Sequence, residues 1–356
     1  MLLLLAMTPQ FSKVLIRGVS WIGDSVLSVP ALRELRRLFP KAHLTLMVKP
    51  WVSDLFVHND FLDELLIERT TDLGQLQSLT RQAGELQKRH FDTAILFQNS
   101  FAAAALAFLA RVPSRLGLAT DGRHMLLTHP LPVSEVMHKQ HQVFYYLHIV
   151  ARIADRFLDS PGVDFTRLRY QLTVSPAQQQ GARNLLKQYG VDFNNKLIVL
   201  NPGATNSMAK RWLPERFALL ADRLMERKDC TVVLIGAASD GESADAVAAR
   251  MSHSPIRLTG KTSLAESMGI LSLCHLLITN DTGPAHVAAA LDRPTLTICG
   301  PTDPWATSPI SSQSHIIWNQ VSCAPCLLRD CPLDHRCMKA VSVDKVYEKA
   351  AELLKE

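Results

Sequence analysis

The sequence predicts an α/β protein built from two doubly wound domains that face a common cleft. Three observations lead to this fold class. Short apolar strands alternate with helical stretches, as in the βαβ units of a parallel sheet. This alternation runs twice along the chain, and a polar region from residue 159 to about residue 196 separates the two series. The length of 356 residues also suits two domains.

The first series covers the N-terminal half of the chain. Its predicted strands are KVLIR (13–17), HLTLMV (43–48), ELLIE (64–68) and TAILF (93–97). Its predicted helices are SVLSVPALRELRRLF (25–39), LQSLTRQAGELQKR (76–89), FAAAALAFLA (101–110) and HKQHQVFYYLHIVARIA (138–154).

The second series begins after the polar region. Its predicted strands are LIVL (197–200), TVVLIG (231–236), IRLTG (256–260), LLITN (276–280) and PTLTICG (294–300). Helices are predicted from Pro214 to Arg227, after Gly236, from Ser263, from Pro284, and at VDKVYEKAAELLK (343–355). We therefore predict domains over residues 1–175 and 176–341, followed by a C-terminal helix over residues 342–356.

Composition and charge exclude several classes of protein. Hydrophobic residues make up 47% of the chain and charged residues 20%, which suits a packed core. Residues 1–170 hold 19 basic against 15 acidic side chains, and the remainder holds 19 against 18. This excess favours an anionic ligand on the N-terminal side. It lacks the clustering of lysine and arginine that nucleic-acid proteins show, so we expect no nucleic-acid partner.

The apolar start MLLLLAM, residues 1–7, is too short for a membrane-spanning helix, which needs about 20 residues. It also lacks the basic region and longer apolar core of a secretory signal. Either it is a ragged start ahead of the first strand, or it contacts a membrane surface. We expect a cytoplasmic protein.

The loop GVSWIGDS, residues 18–25, follows the first strand. Its spacing is that of a phosphate-binding P-loop, but Asp24 stands where such a loop has lysine, and a carboxylate would repel phosphate. The loop also lacks G-x-G-x-x-G, which disfavours a nicotinamide cofactor. Two interpretations of Asp24 remain. It caps the following helix, or it is a general base held against an acceptor hydroxyl.

Two loops of the second series have the residues that an anionic phosphate group needs. The stretch NPGATNSMAKRW (201–212) supplies backbone amides, hydroxyls and cations, in particular Gly203, Thr205, Asn206, Ser207, Lys210 and Arg211. Trp212 is predicted to be a core residue. The alternative is a solvated loop.

The second loop is TNDTGPAH (279–286). Pro284 suits the first turn of a helix, and the free amides near Thr282 and Gly283 can bind phosphate. Asp281 would repel phosphate, so we expect it to meet hydroxyls or amides. His286 either faces the ligand or is a core histidine. The chain has no D-x-D pair to hold a divalent ion, so cations and helix N-termini are expected to stabilise a leaving group without metal.

Together, GVSWIGDSVLSVPAL, NPGATNSMAKRW and TNDTGPAHVAAAL resemble the ADP-heptose:lipopolysaccharide heptosyltransferases of glycosyltransferase family 9, most closely the heptosyltransferase II branch. The resemblance runs from about Val14 to the last helix. It implies a GT-B fold of two Rossmann-like domains, with the acceptor on the first and the nucleotide sugar on the second. In such folds the last helix crosses back to the first domain.

The resemblance also implies roles for the motif residues. Asp24 matches the proposed catalytic base, and Lys210 matches a residue that contacts the donor phosphates. Thr205 and Asn206 fall in the loop that closes over the diphosphate. The donor motif D-[TS]-G-x-x-H is matched by Asp281, Thr282, Gly283 and His286.

The implied reaction is inverting, metal-independent transfer of heptose from ADP-L-glycero-D-manno-heptose to heptosyl-Kdo2-lipid A. Such an acceptor implies peripheral contact with the cytoplasmic face of the inner membrane, and we expect a monomer. Candidate acceptor-binding residues on the first domain are Lys49, Arg123, His138, Lys139 and His141. Alternatives are heptosyltransferase I or another family member with a different acceptor, a nicotinamide-dependent enzyme, and a non-catalytic nucleotide-binding protein.

Four of the seven cysteines lie within residues 323–337. They are Cys323, Cys326, Cys331 and Cys337, in the spacing C-x2-C-x4-C-x5-C, with His335 between the last two. Three interpretations remain open: a structural zinc site, reduced loop thiols, and a redox-labile bridge. No other cofactor is expected. Pro325 and Pro332 predict a loop.

Overall fold

A computed structural model describes residues 9–69, 74–158, 162–205, 207–227 and 229–355, except for the side chains of Gln75 and His138. The predictions for the apolar start, for Asn206 and for the His138 side chain lie outside the described residues. The chain divides into two compact units, Met1–Tyr170 and Gln171–Glu356, so the boundary falls slightly ahead of the predicted one.

The first unit has one parallel sheet of six strands in the order β3-β2-β1-β4-β5-β6. These strands are β1 Lys13–Arg17, β2 His43–Val48, β3 Glu64–Ile67, β4 Thr93–Leu96, β5 Ser114–Leu118 and β6 His129–Leu131. Its helices are α1 Ile22–Leu27, α2 Val29–Leu38, α3 Gln75–Gln87, α4 Phe101–Leu109, α5 Glu135–Lys139 and α6 Gln142–Phe157.

The second unit has another parallel sheet of six strands, in the order β12-β11-β10-β7-β8-β9. These strands are β7 Lys196–Asn201, β8 Cys230–Leu234, β9 Ile256–Arg257, β10 Leu276–Asn280, β11 Thr295–Cys299 and β12 Ser314–Trp318. Its helices are α7 Pro176–Gln188, α8 Pro214–Met225, α9 Gly241–Ala248, α10 Leu264–Leu273, α11 Gly283–Ala290, α12 Pro304–Thr307, α13 Arg336–Lys339 and α14 Val343–Leu353.

Both sheets have the same topology. Read from the opposite edge, the second order has the pattern of the first, with the first and fourth strands of the unit side by side. The winding direction reverses between these two strands, and a crevice opens there beyond their carboxyl ends. The crevice lies between β1 and β4 in the first unit and between β7 and β10 in the second. Each motif loop found in the sequence follows one of these strands.

Two predicted helices are interrupted. The helix expected over residues 25–39 is two helices, α1 and α2, which meet at Ser28. Pro30 lies in the first turn of α2, and proline is tolerated there but not inside a longer helix. The helix expected from His138 is also divided, because His141 is the N-cap of α6 and its ring accepts the Val143 amide.

Three strands were not predicted: β5, β6 and β12. The first two alternate poorly, since Gly117 lies inside β5 and Pro130 inside β6. Proline cannot donate to a ladder, so it is confined to edge strands, and β6 is indeed an edge. These strands form because they pair with neighbouring strands of the sheet, although their sequence pattern is weak.

The C-terminal helix α14 packs on the second unit. Val346, Ala350 and Leu353 are buried in the hydrophobic core of the second unit, and α14 packs on α8 and β11. Its buried face therefore forms part of the core of the second unit, and a crossing to the first domain stays a prediction. Within the described ranges, no helix is long and apolar enough to cross a membrane.

Candidate functional site

Asn280, at the end of β10, fixes the loop that follows β7. Its side-chain amide donates to the carbonyl oxygens of Pro202 at 2.9 Å and Gly203 at 3.1 Å. Its side-chain oxygen accepts the Trp212 amide at 2.9 Å. One buried side chain thus holds both ends of the loop over residues 202–212, because Trp212 is itself locked in the core.

A second asparagine ties the same two strands together. Asn201, the last residue of β7, donates from Nδ2 to the hydroxyl oxygens of Thr279 and Thr282, at 3.0 Å each. Asn201 and Thr279 are buried. Buried polar groups that are mutually hydrogen-bonded specify one arrangement of the loops that carry them. The loops after β7 and β10 therefore form one rigid pair.

Lys210 and Asp281 meet between these loops. The Lys210 ammonium lies 3.1 Å from the Asp281 carboxylate and donates to its backbone carbonyl at 3.1 Å. Thr302, just after β11, donates its hydroxyl to the same carboxylate oxygen at 2.7 Å. An ammonium carries three donors, so Lys210 keeps donor capacity for a ligand oxygen while Asp281 fixes its position.

The N-terminus of α11 lies beside this pair. Thr282 is its N-cap, Gly283 begins it, and Pro284 occupies the first turn, as predicted. Amides at such a terminus and its positive dipole end attract a phosphate group. His286, in the same helix, has only 6% of its surface exposed. That burial fits the interpretation of a core histidine better than that of a residue facing a ligand.

Gly203 is required by packing. A Cβ atom placed there would lie 2.1 Å from Cγ and 2.5 Å from Cβ of Asp240. Asp240 is buried, and its carboxylate accepts the Ala237 amide. Burial raises the pKa of this carboxyl group, with the amide opposing the shift. Thr205, nearby in the loop, is exposed.

Asp24 lies at the corresponding crevice of the first unit. It is in the first turn of α1, whose N-cap is Trp21, so it is not the capping residue. Its carboxylate accepts the Tyr146 hydroxyl at 3.2 Å. Burial raises the pKa of Tyr146 well above its usual value, and the negative charge of Asp24 is the second cause. Tyr146 therefore stays protonated and serves as a donor that orients Asp24.

Lys49 is the predicted acceptor residue that lies beside the Asp24 loop. Its neighbour Trp51 donates from the indole nitrogen to the Ser20 carbonyl at 2.7 Å. The Lys49 ammonium pairs with Glu68, which also pairs with Arg17. One carboxylate thus holds two cations at the carboxyl ends of β1 and β2.

Three other predicted acceptor residues make their contacts elsewhere in the first unit. Arg123 is fully buried and donates to the Leu118 and Gln98 carbonyls and to the Asn99 side chain. Its interpretation as a surface cation is wrong; it fastens the loop after β4. Lys139 is exposed and pairs with Glu135, and His141 caps α6.

The clustered cysteines do not converge on one position in the structure. Among the described residues, no group of three or more His, Cys, Asp or Glu side chains could hold a metal ion. The ring Nε2 of His335 lies 2.7 Å from the Ala209 carbonyl oxygen, and a carbonyl only accepts, so that nitrogen carries a proton. All seven cysteines are free. The metal content of the protein stays a prediction.

Several residues of the site were missed from the sequence. Asn201 and Asn280 could have been found, since each is a polar residue at the end of an apolar strand. Thr302 also follows a strand end. Tyr146 gave no such signal, because it lies on an amphipathic helix far along the chain from Asp24.

Comparison with known proteins decides the family. A model described as glycosyltransferase family 9 (heptosyltransferase) matches residues 79–336, which is most of the chain. The chain belongs to glycosyltransferase family 9. It is therefore a glycosyltransferase, and the resemblance seen in its three motifs is confirmed.

The chain is also similar to individual heptosyltransferases in sequence and in structure. The chain is 29% identical to lipooligosaccharide heptosyltransferase 2 of Haemophilus influenzae, over 85% of this chain and 88% of that protein. It matches the structure of Escherichia coli ADP-heptose lipopolysaccharide heptosyltransferase II with a TM-score of 0.80 and 25% identity, covering 96% and 98% of the two chains.

A family 9 glycosyltransferase from Veillonella parvula gives a TM-score of 0.83 at 22% identity over 98% and 99% of the chains, a likeness in fold. The GT-B fold class is thus confirmed. The cleft between the domains stays a prediction.

Gly203→Ala should destabilise the family 9 fold because the new methyl group overlaps Asp240. Overpacking of this kind costs about 1–3 kcal/mol, measurable as the free energy of unfolding in urea. Gly181→Ala, in the middle of α7 with open space around it, is the matched control and should raise stability slightly. Combining Gly203→Ala with Asp240→Gly should shrink the cost. Equal costs in both backgrounds would exclude the overlap.

Thiol accessibility should separate the cysteines into two sets. At mildly alkaline pH a disulfide reagent should react quickly with Cys323, Cys326 and Cys331, which are exposed or half-buried. The four buried thiols should react only after unfolding; burial raises the pKa of Cys230 to about 11 and that of Cys274 to about 12. If the first three thiols are protected and a chelator removes this protection, a metal is bound. If fewer than seven thiols react after unfolding, a disulfide bridge is present.

Proposed function

We propose that this glycosyltransferase transfers heptose from ADP-L-glycero-D-manno-heptose to heptosyl-Kdo2-lipid A in the inner core of lipopolysaccharide. The observation that carries the proposal is the Lys210–Asp281 pair beside the N-terminus of α11. It joins a cation, a carboxylate and a helix N-terminus at one crevice, in a chain of this family. Similarity to heptosyltransferase 2 proteins supports the choice of donor and acceptor.

The second unit binds the donor in this proposal. The diphosphate accepts hydrogen bonds from the amides at Thr282 and Gly283 and from the Lys210 ammonium. Negative charge on the leaving ADP grows as the bond to the sugar breaks, so a fixed cation stabilises the transition state more than the bound donor. Asp281 fixes the lysine, and its buried carboxylate repels phosphate, which restricts where the diphosphate lies.

Asp24 is the general base. It accepts the proton of an acceptor hydroxyl while that oxygen forms a bond to the anomeric carbon. The bond from this carbon to ADP breaks on the opposite side, which inverts the configuration. The proton ends on Asp24 and the electron pair of the broken bond on ADP. Tyr146 fixes the carboxylate through its hydroxyl, so that the accepting oxygen has a defined direction.

The first unit carries the acceptor. Lys49 and Trp51, beside the Asp24 loop, offer a cation and an aromatic face to an acidic sugar. Arg123 contributes no charge to this surface, because it is fully buried. We propose further that the protein is a cytoplasmic monomer, that it contacts the cytoplasmic face of the inner membrane peripherally, and that it uses no metal or other cofactor.

Mass spectrometry of defined acceptors tests the proposed function directly. The protein is incubated with ADP-heptose and either a Kdo-lipid or a heptosyl-Kdo-lipid, and the product mass is recorded. We expect one heptose to be added to the heptosyl-Kdo-lipid. Addition to the Kdo-lipid alone would indicate a heptosyltransferase I, and no transfer to either acceptor would contradict the proposal.

Asp24→Asn should nearly abolish transfer and leave ADP affinity within a few-fold. The amide keeps the size of the side chain but cannot accept a proton, and a general base contributes about 10²–10⁴ in rate. Turnover is measured at saturating substrates. Asp60→Asn, which changes an exposed carboxylate of the same unit, should keep full activity. An Asp24→Asn variant with more than about a tenth of wild-type turnover would show that Asp24 is not the base.

Lys210→Ala should lower kcat as well as raise KM for ADP-heptose. Loss of a donor to developing charge costs about 10²-fold in kcat. Lys349→Ala, at an exposed ion pair on α14, is the matched control. Unchanged kcat with raised KM would mean uniform binding without a role at the leaving group. Wild-type activity should persist in excess EDTA, and a requirement for magnesium would contradict the metal-free proposal.

A further inference from the structure

The segment from Val321 to Met338, called here the cysteine segment, has no part in the reaction proposed above. It connects β12 to α14 and holds the four clustered cysteines and His335. It nevertheless forms hydrogen bonds with Ala209 and Pro301, in two loops beside the candidate donor site.

The cysteine segment holds both peptide groups of the residue before Lys210. The Ala209 amide donates to the Arg329 carbonyl at 2.9 Å. The Ala209 carbonyl accepts from Nε2 of His335 at 2.7 Å. Ala209 is buried. Its orientation therefore follows from these two bonds, and it sets where the Lys210 backbone begins.

The backbone of His335 is itself held in place by the cysteine segment. Its φ of 59° is in the left-handed region, which few residues other than glycine adopt without cost. Its backbone leads into α13, where Cys337 and Met338 are buried in the core. Met338 packs so closely on Gly300 that a Cβ there would lie 2.8 Å from its sulfur. The imidazole thus projects from backbone that the packing of α13 holds in place.

The other end of the segment holds the loop after β11. The amides of Cys326 and Leu327 both donate to the Pro301 carbonyl, at 3.0 and 2.9 Å. Pro301 precedes Thr302, whose hydroxyl binds the Asp281 carboxylate. The segment therefore contacts the residue before Lys210 and the residue before Thr302, which binds Asp281.

We propose that the cysteine segment is a brace for the donor-phosphate site and that His335 is a positioning residue, which holds Lys210 through the Ala209 carbonyl. This inference rests on the proposed role of Lys210. A cavity of about 570 Å³ adjoins the contact and is lined by Ala209 and Arg211 from the loop and by Cys331 and His335 from the segment. The loop has room to shift there once the imidazole bond is lost.

His335→Ala and His335→Gln test the brace as a pair. Both replace histidine at the same left-handed backbone, so they share its strain, but only glutamine restores an N–H donor near the position of Nε2. His253→Ala is the control, since it removes another histidine of this unit, bonded to Asp222 away from the loop. Each variant is measured for melting temperature, for hydrogen exchange at the Ala209 and Lys210 amides, and for the kinetics of ADP-heptose transfer.

We expect His335→Ala to speed exchange at both amides and to lower kcat/KM for ADP-heptose by about 10- to 100-fold, with a loss in kcat, because small misplacements of a charged group are costly. His335→Gln should recover activity to within about threefold of wild type. The control should change the melting temperature at most.

Two results would overturn the brace. One is unchanged exchange at Ala209 and Lys210 in His335→Ala. The other is faster exchange with wild-type kcat and KM, which would make His335 merely structural. If the wild-type protein transferred no heptose, the proposed function would fail on its own. The exchange data, and ADP affinity of the two variants compared with wild type, would still decide whether His335 positions the loop.

Discussion

The candidate donor site depends on one buried amide, the side chain of Asn280. It satisfies the Pro202 and Gly203 carbonyls on one side and the Trp212 amide on the other. Without it, buried backbone groups at both ends of the loop would lose their partners, and each such loss costs about 1–3 kcal/mol. The loop that bears Lys210 could not then hold one shape. The proposed role of Lys210 thus depends on a residue that has no direct part in the reaction.

The charges of this site are balanced before any ligand arrives. Lys210 and Asp281 are paired at low exposure, and Thr302 supplies a further bond to the carboxylate. A lone ammonium or carboxylate at this depth would be costly to desolvate, whereas a paired and hydrogen-bonded group is tolerated. Pairing with Asp281 therefore allows the Lys210 ammonium to stay charged at low exposure. In the proposed reaction a diphosphate meets a lysine that is already oriented, so little reorganisation accompanies the growth of charge.

Most of the fold could be predicted from the sequence, because nine of the twelve described strands and the long helices have clear periodicity and turn signals. What failed has physical causes. Gly117 and Pro130 conceal β5 and β6, whose place is set by the sheet. Arg123 looked like a surface cation because a sequence does not show that its three guanidinium nitrogens donate to two carbonyls and a side-chain amide oxygen. Tyr146 and His335 act across long distances in the chain, where local pattern carries no information. The motif residues were found because loops at strand ends meet at one edge.

The parallel order of the second sheet has a consequence for biosynthesis. Strand β7 pairs with β10, with Ile198 opposite Leu276, although the residues of β8 and β9 come between them in the chain. Until β10 has left the ribosome, the loop after β7 lacks Asn280 and Asp281, and its polar backbone groups face water or a chaperone. Non-local parallel pairing of this kind is slow to form. The nascent second unit therefore passes through a stage in which the loop after β7 is already synthesised, still unpaired and open to proteolysis.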